Sequence, residues 1–377
     1  MISFKDNSRQ LVVIVSTTNW NEYPRFRHQV TRQLKKYYNV LYVEKYCKKT
    51  KDEKDGFEIY DDNMIIYRCS YLRQKYRVIY SHIRPYHSLI DYLCRKKIED
   101  LVKLLGNERV FLVNFVYHFS ELMKSSVFRK KIYICNDDFT SLLKYPWQKK
   151  MYQNYEDKVV RIADICLVHS GYLYDKFRGK NRNIYIMEPG HEFVVEKKNK
   201  KINNDDHKIR VCYMGYVDER LNSEWLSEIL LQQNMELYFI GPVSDKFEFD
   251  SIGKYGKINF IKPLLGCDLY KKMNDMDVFI IPYDLSHPIV KACVPNKLYQ
   301  YMACGKPIVI SNMPQIIGFE DCVISKASDK IDFIKKINKM YCDDSQDKIN
   351  KRYEIAENNT WDKRGVFLYS IINELLS

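Results

Sequence analysis

Glycine is scarce in this chain, 13 of 377 residues, and it is arranged neither as G-x-G-x-x-G nor as G-x-x-x-x-G-K-[ST]. The first absence argues against a nicotinamide or flavin enzyme and the second against P-loop phosphoryl transfer, since both motifs bring backbone N–H groups against phosphates. There is no run of about 18 apolar residues, so no segment reads as a membrane-spanning helix. The start, Phe4 to Gln10 leading into the short apolar run 11–15, lacks the apolar core of a signal peptide, and export is not expected. The eleven cysteines form no C-x-x-C pair and no His-rich spacing. They read as small core residues of a reducing cytoplasm rather than as zinc ligands or a disulfide framework.

What is present is a globular composition, 46% hydrophobic with 14% aromatic and 29% charged. At 377 residues two domains are expected. A net charge of +13 implies an anionic partner: nucleic acid, a membrane surface or a phosphorylated substrate.

Short β-branched runs at 11–15, 40–43, 64–67, 110–114, 131–135, 165–168 and 184–187 alternate with helix-length intervals. This is the rhythm of a parallel sheet covered on both faces. The rhythm restarts at 210–213, 237–240, 258–260, 278–281, 307–311 and 322–324, after the polar stretch Glu196 to Asp206. The fold class is therefore α/β, with two doubly wound Rossmann-like domains. The expected limits are 1–195, a linker at 196–208, 209–355, and a helix at 356–377 returning to the first domain. Ligands of such sheets bind beyond the carboxyl ends of the strands, and a cleft between the domains is the expected site.

Within the second half, Gly215 follows the strand ending at Tyr213 and lets the backbone approach a ligand. The stretch VPNKLYQYMACGKPIVISN, from Val294 to Asn312, reads as a turn, a short helix and a second turn ahead of a buried strand. If Asn296 caps a helix over 297–304, the Lys297 ammonium stands at the helix end that favours anions. A cation there is misplaced unless an anion faces it, which suits a diphosphate.

The order VFIIPY, irregular loop, PNKLYQYMACGKPIVIS, with VCYMGYVD upstream and LYFIGP between, resembles the nucleotide-sugar half of GT-B glycosyltransferases. The pieces VVIVSTTNWNEYPRFRHQ, YICNDDF and ADICLVHS are similar to the first half of bacterial transferases that build capsular, teichuronic or xanthan-type repeat units. The resemblance implies a nucleotide-diphosphate-sugar donor, UDP-linked by preference, bound by the second domain. Gly215 and Tyr216 would lie against the diphosphate or sugar, and Lys297 would neutralise the leaving diphosphate. Lys262, Pro263 and Leu264 would meet the base, while Tyr283 and Asn296 would frame the pocket. Many retaining members carry two glutamates eight positions apart; Ala292 and Gln300 stand there, so the stereochemical outcome stays open. No metal and no cofactor are expected, because Lys297 supplies the positive charge.

An inverting transfer needs a base for the acceptor hydroxyl. Asp137 and Asp138 follow the strand 131–135, with a helix-cap pair as the structural alternative, and His118 follows the strand 110–114. Thr17, Thr18, Asn19, Trp20 and Arg25 are the acceptor-side candidates. Between Arg68 and Lys97 a basic, tyrosine-rich run with Asp91 as its one acid suits an anionic membrane surface. The sequence thus implies a cytoplasmic enzyme, peripheral on the inner face of the membrane, moving a sugar to a lipid-linked or saccharide acceptor, with no nucleic-acid partner. The alternatives are a nucleotide-sugar epimerase of the same fold and a nucleic-acid-binding protein.

Overall fold

The computed structural model describes residues 3–45, 56–69, 84–106, 109–199, 208–245, 247 and 252–374. The chain divides into two compact units, Met1–Glu188 with Arg364–Ser377, and Pro189–Lys363.

The first unit is built on an eight-stranded sheet in the order β3-β4-β2-β1-β5-β6-β7-β8. Its strands are β1 Leu11–Val15, β2 Asn39–Lys45, β3 Gly56–Asp61, β4 Met64–Cys69, β5 Val110–Asn114, β6 Lys130–Cys135, β7 Ile165–Val168 and β8 Ile184–Ile186. All pairs are parallel except β3 with β4. LVVIV of β1 is buried at every position, as a central strand covered on both faces requires. The order reverses between β1, whose partner in sequence is β2, and β5, so the crevice above Val15 and Asn114 is the place for a ligand.

The second unit has a six-stranded parallel sheet, β11-β10-β9-β12-β13-β14. Its strands are β9 Ile209–Met214, β10 Met235–Ile240, β11 Ile258–Ile261, β12 Val278–Ile281, β13 Ile308–Ser311 and β14 Ile324–Ala327. This is the doubly wound order, with its reversal between β9 and β12. Two glycines make the turns there. Gly215 has φ 128° and Gly241 φ 141°, and a Cβ on Gly241 would run into the Gly215 backbone. Gly241 therefore demands glycine for the close approach of the two loops, and both positions favour it for the positive φ.

The strands expected from the sequence are present, with differences of detail. The strand placed at 322–324 begins only at Ile324, and β3 was not anticipated. The unit boundary falls at Glu188/Pro189, upstream of the expected linker. Glu196 N–H donates to Tyr270 Oη, Lys198 N–H to Tyr353 Oη, and Lys197 pairs with Glu357, so 196–198 pack on the second unit. Residues 200–207 of that stretch lie outside the described residues. The C-terminal segment is two helices, Gln346–Glu357 and Trp361–Glu374. The second joins the first unit from Arg364: Arg364 donates to the Glu188 carbonyl, and Tyr369 stacks on Tyr37 at 4.3 Å.

Candidate functional site

At the β9/β12 crevice of the second unit, Lys297 is buried, 8% exposed. Its Nζ donates to Tyr213 Oη at 2.6 Å and Tyr283 Oη at 3.1 Å and lies 3.8 Å from the Tyr213 ring centroid. Gly215 faces the same atom, for a Cβ there would fall 2.8 Å from Nζ. Burial pushes the Lys297 pKa well below the usual lysine value, and the Arg220 guanidinium pushes the same way. Asp218, the buried acid in that loop, is engaged by Arg220, with Nε to Oδ1 at 2.8 Å and Nη2 to Oδ2 at 2.7 Å. Arg220 also sits 5.3 Å over the Tyr283 ring. The crevice thus holds the Lys297 amine, the Arg220 guanidinium and the Asp218 carboxylate at the carboxyl end of β9. A cation buried against neutral phenols is costly unless an anion joins it.

The helix beyond Lys297 differs from expectation. It spans Leu298–Ala303 and its N-cap is Lys297 itself, with no side-chain cap. Asn296 is exposed, and Leu298 N–H turns back to the Pro295 carbonyl, so Asn296 is not the cap. Six residues leave no useful helix dipole; the buried lysine, rather than a helix end, defines the place. Tyr283 is buried beside Lys297, Tyr216 is exposed, and Gln300 is half-buried on the short helix. Lys262, Pro263 and Leu264 follow β11, the edge strand, two strands away from β9. Ala292 is fully buried. The Gly-Lys-Pro turn serves the fold: Gly305 has φ 67°, and a Cβ there would lie 2.5 Å from Tyr353 Cζ.

In the first unit, Asp137 and Asp138 separate sharply. Asp138 is 5% exposed and accepts from Lys176 Nζ at 2.8 Å, Thr140 Oγ1 at 2.7 Å and Tyr172 Oη at 3.4 Å. Lys176 also reaches the fully buried Glu156 at 2.7 Å. Burial alone would raise the Asp138 carboxyl, but Lys176 and the hydroxyls hold it below its usual value. Asp138 is therefore an ion-paired structural group and a poor base. Asp137 is half-buried at the end of β6, and its Oδ2 accepts from Asn136 Nδ2 at 3.1 Å.

His118 lies 6% exposed in an aromatic cluster with Tyr117, Tyr152 and His87. Asn114 sets the turn that delivers it, its Oδ1 accepting from Val116 N–H at 2.8 Å. His87 and Asp91 occupy the buried stripe of the helix Arg84–Leu104, 3.4 Å apart. With His118 they place three possible ligand atoms within 4.8 Å of one another.

The acceptor-side candidates are largely committed to the fold. Trp20 is packed against Tyr42, His28 and Tyr60, each centroid within 5.5 Å, so it is core rather than a sugar platform. Thr18 receives Arg27 Nη1 at 2.7 Å, and the Asn19 carbonyl lies 3.0 Å from His28 Nε2. Arg25 is exposed and pairs with Glu22; Thr17 is half-buried. Arg27, on the same helix as His28, lies between the Phe115 and Phe139 rings. Arg220 was not singled out as a site residue, although D-x-R three residues after a strand-end glycine is a local signal. Of the basic run, residues 70–83 lie outside the described residues. Arg68 is engaged by Glu44 and Glu58, and Arg95 by Glu99, so these two cations are not available to lipid.

Residues 208–343 match the family model described as glycosyl transferases group 1. The chain is 23% identical over 252 residues to a provisionally named teichuronic acid biosynthesis glycosyltransferase, TuaH, of Bacillus subtilis (strain 168). That alignment covers 61% of this chain, which spans about 63% of the length of the relative. Among solved structures, a trehalose-6-phosphate protein from E. coli bound with UDP-2-fluoro glucose matches with TM-score 0.67 at 12% identity, over 97% of this chain and 99% of that one. An α,α-trehalose-phosphate synthase (UDP-forming) from Burkholderia vietnamiensis matches with TM-score 0.64 at 11% identity, over 97% and 99%. The fold is thus GT-B, two parallel-sheet units without a closed barrel. The family model and the curated relative are both described as glycosyltransferases, while the solved structures speak to the fold alone.

Proposed function

We propose that this protein transfers a sugar from a nucleotide-diphosphate sugar, UDP-linked by preference, to a lipid-linked or saccharide acceptor in surface polysaccharide synthesis. The observation that carries the donor half is Lys297, a buried lysine bonded, among the described residues, to the Tyr213 and Tyr283 hydroxyls, with Arg220 beside it. A diphosphate entering there supplies the missing anion and restores the ammonium. As the glycosyl bond breaks, the charge that develops on the departing nucleoside diphosphate is met by groups already in place, which lowers the barrier. Lys297 and Arg220 supply this charge without a resident metal. If the transfer inverts, Asp137 takes the acceptor proton, since Asp138 is held in its ion pair.

The acceptor reading is supported by the teichuronic acid relative and by the net charge of +13. It places the enzyme at the inner face of the membrane, where anionic lipid and lipid-linked acceptors meet. The test is incubation with UDP-sugars and membrane-extracted lipid acceptors, followed by mass spectrometry of the lipid. A hexose or uronic-acid mass increment with release of UDP is expected. Epimerised nucleotide sugar in the absence of acceptor would overturn the proposal.

A further inference from the structure

Four tryptophans occur in the chain, and they are not alike. Trp20, Trp225 and Trp361 are 9%, 8% and 5% exposed, whereas Trp147 is 48% exposed. Tyr145 and Leu142, at 49% and 48%, share its short segment ahead of and into the helix Pro146–Ile162. The Tyr145 and Trp147 rings stack, 6.3 Å apart and 19° from parallel, and Lys144 Nζ lies 5.8 Å from the Tyr145 centroid. Lys144 and Lys150 are exposed and Lys149 is half-exposed. No acidic residue occurs between Asp138 and Glu156, and both of these are turned inward onto Lys176. The far side of the same helix is fixed in the fold, Tyr155 stacking on His87 at 4.5 Å.

We propose that the segment 142–150 of the first unit seats the protein on an anionic lipid bilayer, with Trp147 and Tyr145 at headgroup level. This rests on the reading of a lipid-linked acceptor above and names the surface that meets the lipid. Three exposed apolar side chains leave water on contact with the interface, where indole and phenol rings are favoured. The three lysines meet anionic headgroups with no carboxylate among them, each worth about fivefold in partitioning at low salt. This charge complementarity is what selects lipid over an uncharged partner surface.

The other three tryptophans are buried, so a change in emission on contact with lipid reports chiefly on Trp147. The full chain is mixed with vesicles of phosphatidylcholine alone and with vesicles containing 30% phosphatidylglycerol, with and without brominated acyl chains. Expected are sedimentation with the anionic vesicles only, a blue shift, and quenching by bromine. Trp147→Ala should weaken partitioning at least tenfold. The triple change Lys144→Glu, Lys149→Glu, Lys150→Glu should abolish it. Circular dichroism verifies that both variants are folded, and the thermal shift with nucleoside diphosphates, read on the same samples, tests the transferase reading separately. Absent vesicle binding, variants that bind as the wild type does, or fluorescence changes with soluble oligosaccharide but not with lipid would each overturn the proposal.

Discussion

Lys297→Met separates what the buried lysine does for the fold from what it does for the donor. Without ligand, the wild-type side chain keeps an amine in a cage of phenol rings, and burial works against its charge. Replacing a buried charged group by an apolar one of similar volume is commonly neutral or stabilising, here by about 1–2 kcal/mol. At about 2–4 °C per kcal/mol for a unit of this size, the melting temperature should rise by a few degrees. The gain depends on pH in a defined direction. The unfolded chain carries Lys297 protonated below about pH 10.4, while the folded state releases the proton at a lower pH. Between those two values the unfolded state binds more protons, so wild-type stability rises with pH. The advantage of the methionine variant is therefore greatest at the acid end of that window and shrinks as pH approaches 10. Donor binding moves the other way: loss of one charge-assisted hydrogen bond costs about 1.5–3 kcal/mol, or about 10- to 150-fold in affinity. Differential scanning calorimetry and titration calorimetry with UDP read both effects. A variant that melts lower than the wild type and binds UDP equally well would refute the reasoning.

Three further outcomes follow from the first unit. Lys176→Met leaves Asp138 and Glu156 buried without their cation and should cost about 3–5 kcal/mol, measured by urea unfolding. Asp137→Asn should abolish turnover with nucleotide binding intact, whereas Asp138→Asn should lower the melting temperature; reversed phenotypes would move the base to Asp138. His169 is held neutral, pushed down to about 3 by burial, with Arg27 and Arg364 adding to the shift. The unfolded state takes up its proton near pH 6.5, so stability should fall by up to about 1.4 kcal/mol per pH unit from there toward pH 3. His169→Leu should flatten that part of the acid-unfolding profile.

The strands of both sheets were legible because central parallel strands are continuous apolar runs, and LVVIV or VFII can hardly be anything else. β3 was not legible: GFEIYD is an antiparallel edge strand with no buried position. The importance of Lys297 could be read from its place before a short helix, but the reason differed. The cap belongs to Lys297, and burial among tyrosines 14 and 84 residues away makes the site. Asp137 and Asp138 looked equivalent in sequence because the ion pair that distinguishes them comes from Lys176, 38 residues on. Trp20 beside two threonines suggested a sugar platform, while its partners Tyr42 and Tyr60 arrive only when β2 and β3 are in place.

The central claim is that the β9/β12 crevice binds a nucleoside diphosphate through Lys297. A thermal-shift titration of the wild-type protein against UDP, GDP, ADP and their sugar derivatives tests it most directly. At a ligand concentration 100-fold above the dissociation constant, binding stabilises by about 2.7 kcal/mol. The account predicts a rise of several degrees with at least one nucleotide, lost in Lys297→Met. No shift with any of them would contradict it.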